Sequence, residues 1–166
     1  LSWIRDGKNQ FDKKNINLAL EGSLKRLQTD YIDLFLIHWP DHTRAFSEPM
    51  DALEKAKQAG KIRHTGVSNF NVAMMTESRI SSPIITNQIG YHIFDRRPEQ
   101  DVMPYVQENG MGIMAYGSLA HGLLTGKWGP ETTFAEDDWR RAGYNFGINT
   151  WGPEHLAKNI AVVEKL

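Results

Sequence analysis

Four short runs rich in apolar, β-branched and aromatic residues punctuate the chain: Tyr31 to Ile37, Lys61 to Val67, Ile84 to Ile89, and Gly112 to Tyr116. Runs of this length bounded by turn residues predict buried strands. Between them the apolar positions return to helical spacing, so strand and helix alternate at intervals of about 20 to 30 residues. The first helix is predicted over Lys13 to Gln28, with Leu20, Leu24 and Leu27 on one face and Lys25 and Arg26 toward water. The second has Ser47 as its N-cap, Pro49 in its first turn, Gly60 as the left-handed residue that ends it, and Met50, Leu53 and Ala56 inside. A third helix follows Asn69-Phe70-Asn71. A fourth is expected from about Gln100 to Asn109, with Pro104 near its first turn and Gly110 closing it. From Ala120 to Pro153 the periodicity gives way to glycines and to the large aromatics Trp128, Phe134, Trp139, Tyr144, Phe146 and Trp151. So long a connection is expected to be an excursion over a binding face.

Alternation of strand and helix implies a parallel sheet, either open and doubly wound or closed into a barrel. No strand is followed by the GxGxxG turn of a dinucleotide-binding open sheet, and polar residues recur at the strand ends instead. The expected fold is therefore α/β, a partial (β/α)8 TIM barrel of about four central strand-helix units, with residues 1–166 forming one incomplete barrel domain. The chain opens on Leu1 and closes on Val162 to Leu166, which reads as the inside of an amphipathic helix, so flanking barrel units are expected outside this stretch.

Composition narrows the function mainly by exclusion. The 166 residues, 40% hydrophobic, suit a globular domain. Nineteen basic and 20 acidic residues give a net charge of −1 with no long run of either sign, which offers no footprint for nucleic acid or anionic lipid. No apolar stretch approaches a membrane span, and no export signal opens the chain. With no cysteine and six histidines lacking paired-ligand spacing, no metal site is predicted, and a cytoplasmic location is the default. Small-molecule chemistry remains.

In such barrels the active site is assembled at the carboxyl ends of the strands. Here those ends read His38-Trp39-Pro40-Asp41, Ser68-Asn69-Phe70, Asn87-Gln88 followed by Tyr91, and Tyr116-Gly117-Ser118. Four apolar strands that each deliver a hydrogen-bonding group at the same end point to a ligand site, which core packing alone does not explain. Asp30 and Asp33 precede or lie within a strand and are read as structural.

These segments, with Ser23-Leu24-Lys25-Arg26-Leu27, Asp30-Tyr31-Ile32-Asp33-Leu34, Gly60-Lys61-Ile62-Arg63, Gly66-Val67-Ser68-Asn69-Phe70 and Gly122-Leu123-Leu124-Thr125-Gly126-Lys127, resemble the aldo-keto reductase family in order and spacing. The resemblance weakens between about Pro130 and Thr150. It implies an oxidoreductase that moves hydride between NADP(H) and an aldehyde or ketone. His38 would be the active-site histidine beside the carbonyl oxygen, a task that suits a neutral imidazole with a donor N–H, and Trp39 would line the substrate pocket. Ser68, Asn69 and Gln88 would bind the nicotinamide carboxamide, which has both donor and acceptor to complement. Tyr116 would stack on the nicotinamide ring. Gly117, Ser118, Leu119 and Ala120 would offer N–H groups to the pyrophosphate, and Lys127 a charge.

The family's catalytic tyrosine, lysine and aspartate come from earlier strands, and Tyr31, Tyr91 and Tyr105 do not occupy that tyrosine's position. The family's basic site for the adenosine 2′-phosphate follows the last strand, beyond Leu166. This stretch alone is accordingly expected to be inactive. Two rival readings are a non-catalytic NADP(H)-binding subunit resembling the potassium-channel β subunits, which commonly carry asparagine at the position of His38, and a metal-dependent barrel hydrolase, for which too few strand ends carry histidine.

Overall fold

The computed structural model describes residues 12–145 and 147–166. They divide into two compact units, one of residues up to Ile89 with Pro98–Met114, the other of Gly90–Arg97 with Ala115–Leu166. Phe146, among the aromatics of the long connection, lies outside the described residues.

Up to Tyr116 the chain alternates helix and strand in the predicted order: α1 Lys13–Leu27, β1 Ile32–Ile37, α2 Ser47–Gln58, β2 Ile62–Ser68, α3 Val72–Ser78, β3 Ile84–Gly90, α4 Val102–Glu108 and β4 Gly112–Tyr116. The four strands form one sheet in the order β1-β2-β3-β4, with β1 to β2 and β2 to β3 parallel. Register decides where the strand ends fall. Ile37 lies opposite Val67, and Ser68 opposite Gln88, so the polar residues that end neighbouring strands arrive at one level.

Local chemistry explains most boundaries. Asp12 caps α1 by accepting the Asn15 N–H at 2.8 Å, Asn71 caps α3 through the Met74 N–H at 2.9 Å, and Asp101 caps α4 through Val102 at 2.6 Å. Gly60 and Gly110 take the left-handed turns that stop α2 and α4, at φ 74° and 64°. Two expectations are corrected. Ser47 is the first residue of α2, and the cap position belongs to Phe46, whose N–H donates at 2.7 Å to Glu77 Oε1 of α3, so a carboxylate from another helix serves this terminus. Leu27 shares the angular stripe of Leu20 and Leu24 but, as the last residue of the helix, is 64% exposed; Ile16, one turn before Leu20, is buried in its place.

The core of this unit joins Ile16, Leu20 and Leu24 of α1, Met50 and Leu53 of α2, Val67 of β2 and Met75 of α3. Gly66, in mid-strand, permits a close approach. A Cβ there would collide with a methyl of Leu36 and lie 2.7 Å from Thr86 Cγ2 and 3.0 Å from the Thr86 carbonyl oxygen. Gly66→Ala, made in the complete protein, is expected to destabilise it by about 1–3 kcal/mol through overpacking, read by urea denaturation. An unchanged midpoint would show that Leu36 simply moves aside.

The second unit has its own core of Ala120, Leu123, Trp151, Leu156 and Ile160. It holds a 3₁₀ turn at Trp139–Ala142, a two-residue hairpin of β5 Tyr144–Asn145 and β6 Ile148–Asn149, and α5 Leu156–Val163. No helix among the described residues is long and apolar enough to cross a membrane.

Candidate functional site

In the first unit the register places the ends of β1, β2 and β3 side by side, and the side chains there are tied to one another. The Asn69 Nδ2 donates to the His38 carbonyl at 3.4 Å and to Ser68 Oγ at 3.1 Å. Ser68 Oγ donates to the Gln88 carbonyl at 3.0 Å, and the Asn69 backbone N–H donates to the same oxygen at 2.8 Å. The structure therefore brings together four residues singled out from sequence: His38, Ser68, Asn69 and Gln88.

Asn69 reaches two strands because its backbone is left-handed, φ 63°, a conformation asparagine tolerates better than most residues. Behind the group, Asn87, fully buried, donates from Nδ2 to the Phe70 carbonyl at 2.8 Å and holds the β2–α3 connection. The half-buried Gln88 side chain makes no hydrogen bond among the described residues, so its amide donors and acceptor remain for a ligand. Burial lowers the pKa of His38, which favours a neutral imidazole. The Trp39 ring lies 6.1 Å from the His38 ring, tilted by 47°.

The second unit carries Tyr116 and the turn after it. Burial raises the pKa of the Tyr116 phenol, whose oxygen accepts the Gly90 N–H. Its ring packs close on Gly90, where a Cβ would lie 3.2 Å from the ring edge. Beyond it Gly117, Ala120, His121 and Gly122 all have positive φ, at 64°, 47°, 56° and 117°. Two of these are not glycine, and a non-glycine held there costs on the order of 1–3 kcal/mol. The Ala120 N–H closes on the Gly117 carbonyl at 2.7 Å, and Ser118 and Leu119 between them are exposed. Lys127 follows, exposed, with its N–H 3.4 Å from Thr125 Oγ1.

Sequence reasoning passed over Gly90, His92, Asp95 and Arg140. Asp95, buried, takes Arg97 Nε at 3.0 Å and Nη2 at 3.1 Å two residues on, and it lines a cavity of about 10 Å³, the size of one water, with Gly90, His92, Tyr116, His121 and Trp151. The only signal that could have found Asp95 and Arg97 is their i, i+2 spacing beside a strand end.

His92 and His121 are, like His38, shifted to lower pKa by burial first. The folded state thus disfavours protonation of three imidazoles, while an unfolded chain takes up protons below the ordinary value of 6.5. Their contribution to stability is whole above that value and is lost as pH falls toward the depressed folded values. In the complete protein the melting temperature is expected to drop between about pH 7.5 and about pH 5.5. A flat profile would contradict the burial of these rings.

The sequence matches the aldo/keto reductase family model over residues 2–165. It is 47% identical over 121 residues to the aldo-keto reductase YhdN of Bacillus subtilis, covering 73% of this chain and 37% of that protein. To the methylglyoxal reductase YeaE of Escherichia coli it is 44% identical over 125 residues, covering 70% and 43%. The structure superposes on a glycerol dehydrogenase from Gluconobacter oxydans with a TM-score of 0.84 and 36% identity, over 98% of this chain and 47% of that one. An aldo-keto reductase from Klebsiella pneumoniae in complex with NADP and acetate gives 0.63 and 37%, over 68% and 41%. The chain spans about two fifths of the length of these curated relatives.

Proposed function

The chain belongs to the aldo-keto reductase family, an oxidoreductase family, and shares the parallel α/β fold of its TIM barrels over about four strands; from that premise we propose that it forms part of a single barrel domain which reduces small aldehydes or ketones with NADPH, or runs the reverse oxidation. The supporting observation is the tie among His38, Ser68, Asn69 and Gln88 at neighbouring strand ends.

The residues present fit the cofactor. Gln88 offers an unengaged carboxamide, complementary to the carboxamide of nicotinamide, and Ser68 and Asn69 flank it. Tyr116 presents a half-buried aromatic ring for the nicotinamide, and the N–H groups of Ser118 and Leu119 in the turn from Gly117 to Ala120, with the charge of Lys127, suit the diphosphate. When bound, NADP(H) supplies or accepts the hydride. His38 then donates an N–H to the substrate oxygen, orienting it and stabilising charge that develops there, with no proton lost from the ring. Trp39 lines the pocket. Residues 120–153 are read as the variable connection that selects the carbonyl substrate, in a cytoplasmic enzyme.

Asn69→Ala and Gln88→Ala, each made in the complete protein, are expected to weaken NADPH binding about tenfold, the equivalent of one lost hydrogen bond at a ligand. Fluorescence titration checks this. Unchanged affinity in both variants would remove these residues from the cofactor site.

A further inference from the structure

The left-handed run at Ala120, His121 and Gly122 is strained, and a cause that holds it in that form lies in its surroundings. Residues 138–151 supply one. Arg140 donates from Nη1 to the His121 carbonyl at 3.3 Å, while the Asp138 carboxylate takes Arg140 Nε at 3.0 Å and Nη2 at 2.6 Å. The fork aims the guanidinium and turns Nη1 to the turn. The Arg140 carbonyl is fixed in turn by Trp151 Nε1 at 2.5 Å. The same tryptophan packs on the His121 ring at 5.6 Å, with Trp139 edge-on at 5.1 Å. On its other side the imidazole covers Gly117, where a Cβ would lie 2.9 Å from the ring. Backbone and side chain of His121 are thus both held, from one short segment, at the centre of the strained run.

We propose that Arg140 and His121 are positioning residues: they hold the Gly117–Gly122 turn in its left-handed form before any ligand arrives, so that residues 138–151 preform the diphosphate-binding turn of the cofactor site. This rests on the reading of that turn given above. Preformation has a kinetic consequence. A turn already in its bound shape spends no binding energy on ordering, and a ligand seated in it leaves slowly.

The test uses the complete protein with Arg140→Gln, which removes the charge and the fork, and Arg140→Lys, which keeps the charge alone. Amide hydrogen exchange at residues 117–122 is followed without cofactor, and NADPH release is followed by stopped-flow fluorescence. Arg140→Gln is expected to speed both by about tenfold, with Arg140→Lys between it and wild type and exchange in β1 and β2 unaltered. Exchange at 117–122 equal to wild type in Arg140→Gln would overturn the proposal, as would an increase spread evenly over the whole protein. If Arg140→Gln does not fold, His121→Asn, which keeps the carbonyl and tolerates positive φ but loses the ring, is measured in the same way against the same outcomes. Should wild type bind no NADPH, the cofactor reading fails by itself, and the cofactor-free exchange still decides whether Arg140 holds the turn.

Discussion

His38→Ala, in the complete protein, is expected to lower kcat for carbonyl reduction by roughly a hundredfold to a thousandfold while NADPH still binds, the loss typical when one donor to a developing oxyanion is removed. The structure separates the two effects. Asn69 is anchored to the backbone carbonyl of His38, and the side chain takes no part in that bond, so alanine keeps the strand-end tie on which the carboxamide subsite depends. What it removes is an imidazole kept neutral by burial, able to donate without first giving up a proton. Steady-state kinetics with an aromatic aldehyde, beside a cofactor titration, reads both quantities. A variant that keeps its kcat would remove His38 from the reaction, and one that loses cofactor along with activity would make the residue structural.

The 166-residue chain by itself is expected to show no reductase activity and no cooperative melting. Among the described residues β1 and β4 are the two edges of the sheet, and a barrel closes only when its edges are paired. Ile85 in β3 and Met114 in β4 are 41% and 39% exposed, apolar surface that a closed barrel would cover. Near-UV circular dichroism and dye binding during a thermal scan measure this directly: the expected result is a compact state without fixed aromatic packing. A soluble monomer that melts cooperatively would contradict it.

Much of the first unit was legible because its signals are local. The strand runs were found to within a residue at each end, and Gly60, Asn71 and Gly110 each mark a helix boundary by backbone or capping chemistry that the residue type announces. Where tertiary contacts override local preference, the reading failed. Ser47 carries the capping hydroxyl, yet a carboxylate from α3 settles the N-terminus of α2; Leu27 fits the helical stripe, yet it is exposed while Leu24 in the same turn is buried. The crowding at Gly66 depends on side chains from two neighbouring strands, which no single run of residues displays.

The same division holds at the site. Polar residues at strand ends could be read as a set, because the period of a parallel sheet brings such ends together. That Asn69 bridges two of them from a left-handed backbone could not, since asparagine is common in turns with no such duty. Between Trp128 and Trp151 the sequence shows only aromatics and charges without period. The fork of Asp138 on Arg140, and the bond from Arg140 to His121 across the turn, exist only once the chain is folded.

The most direct test of the central claim is oxidation of NADPH, deuterated at the transferable position, by the complete protein in the presence of an aromatic aldehyde. The account predicts turnover that carries the label onto the carbonyl carbon. Tight NADPH binding without label transfer to any carbonyl tried would contradict it, and would make the chain part of a cofactor-sensing subunit with no reductase chemistry of its own.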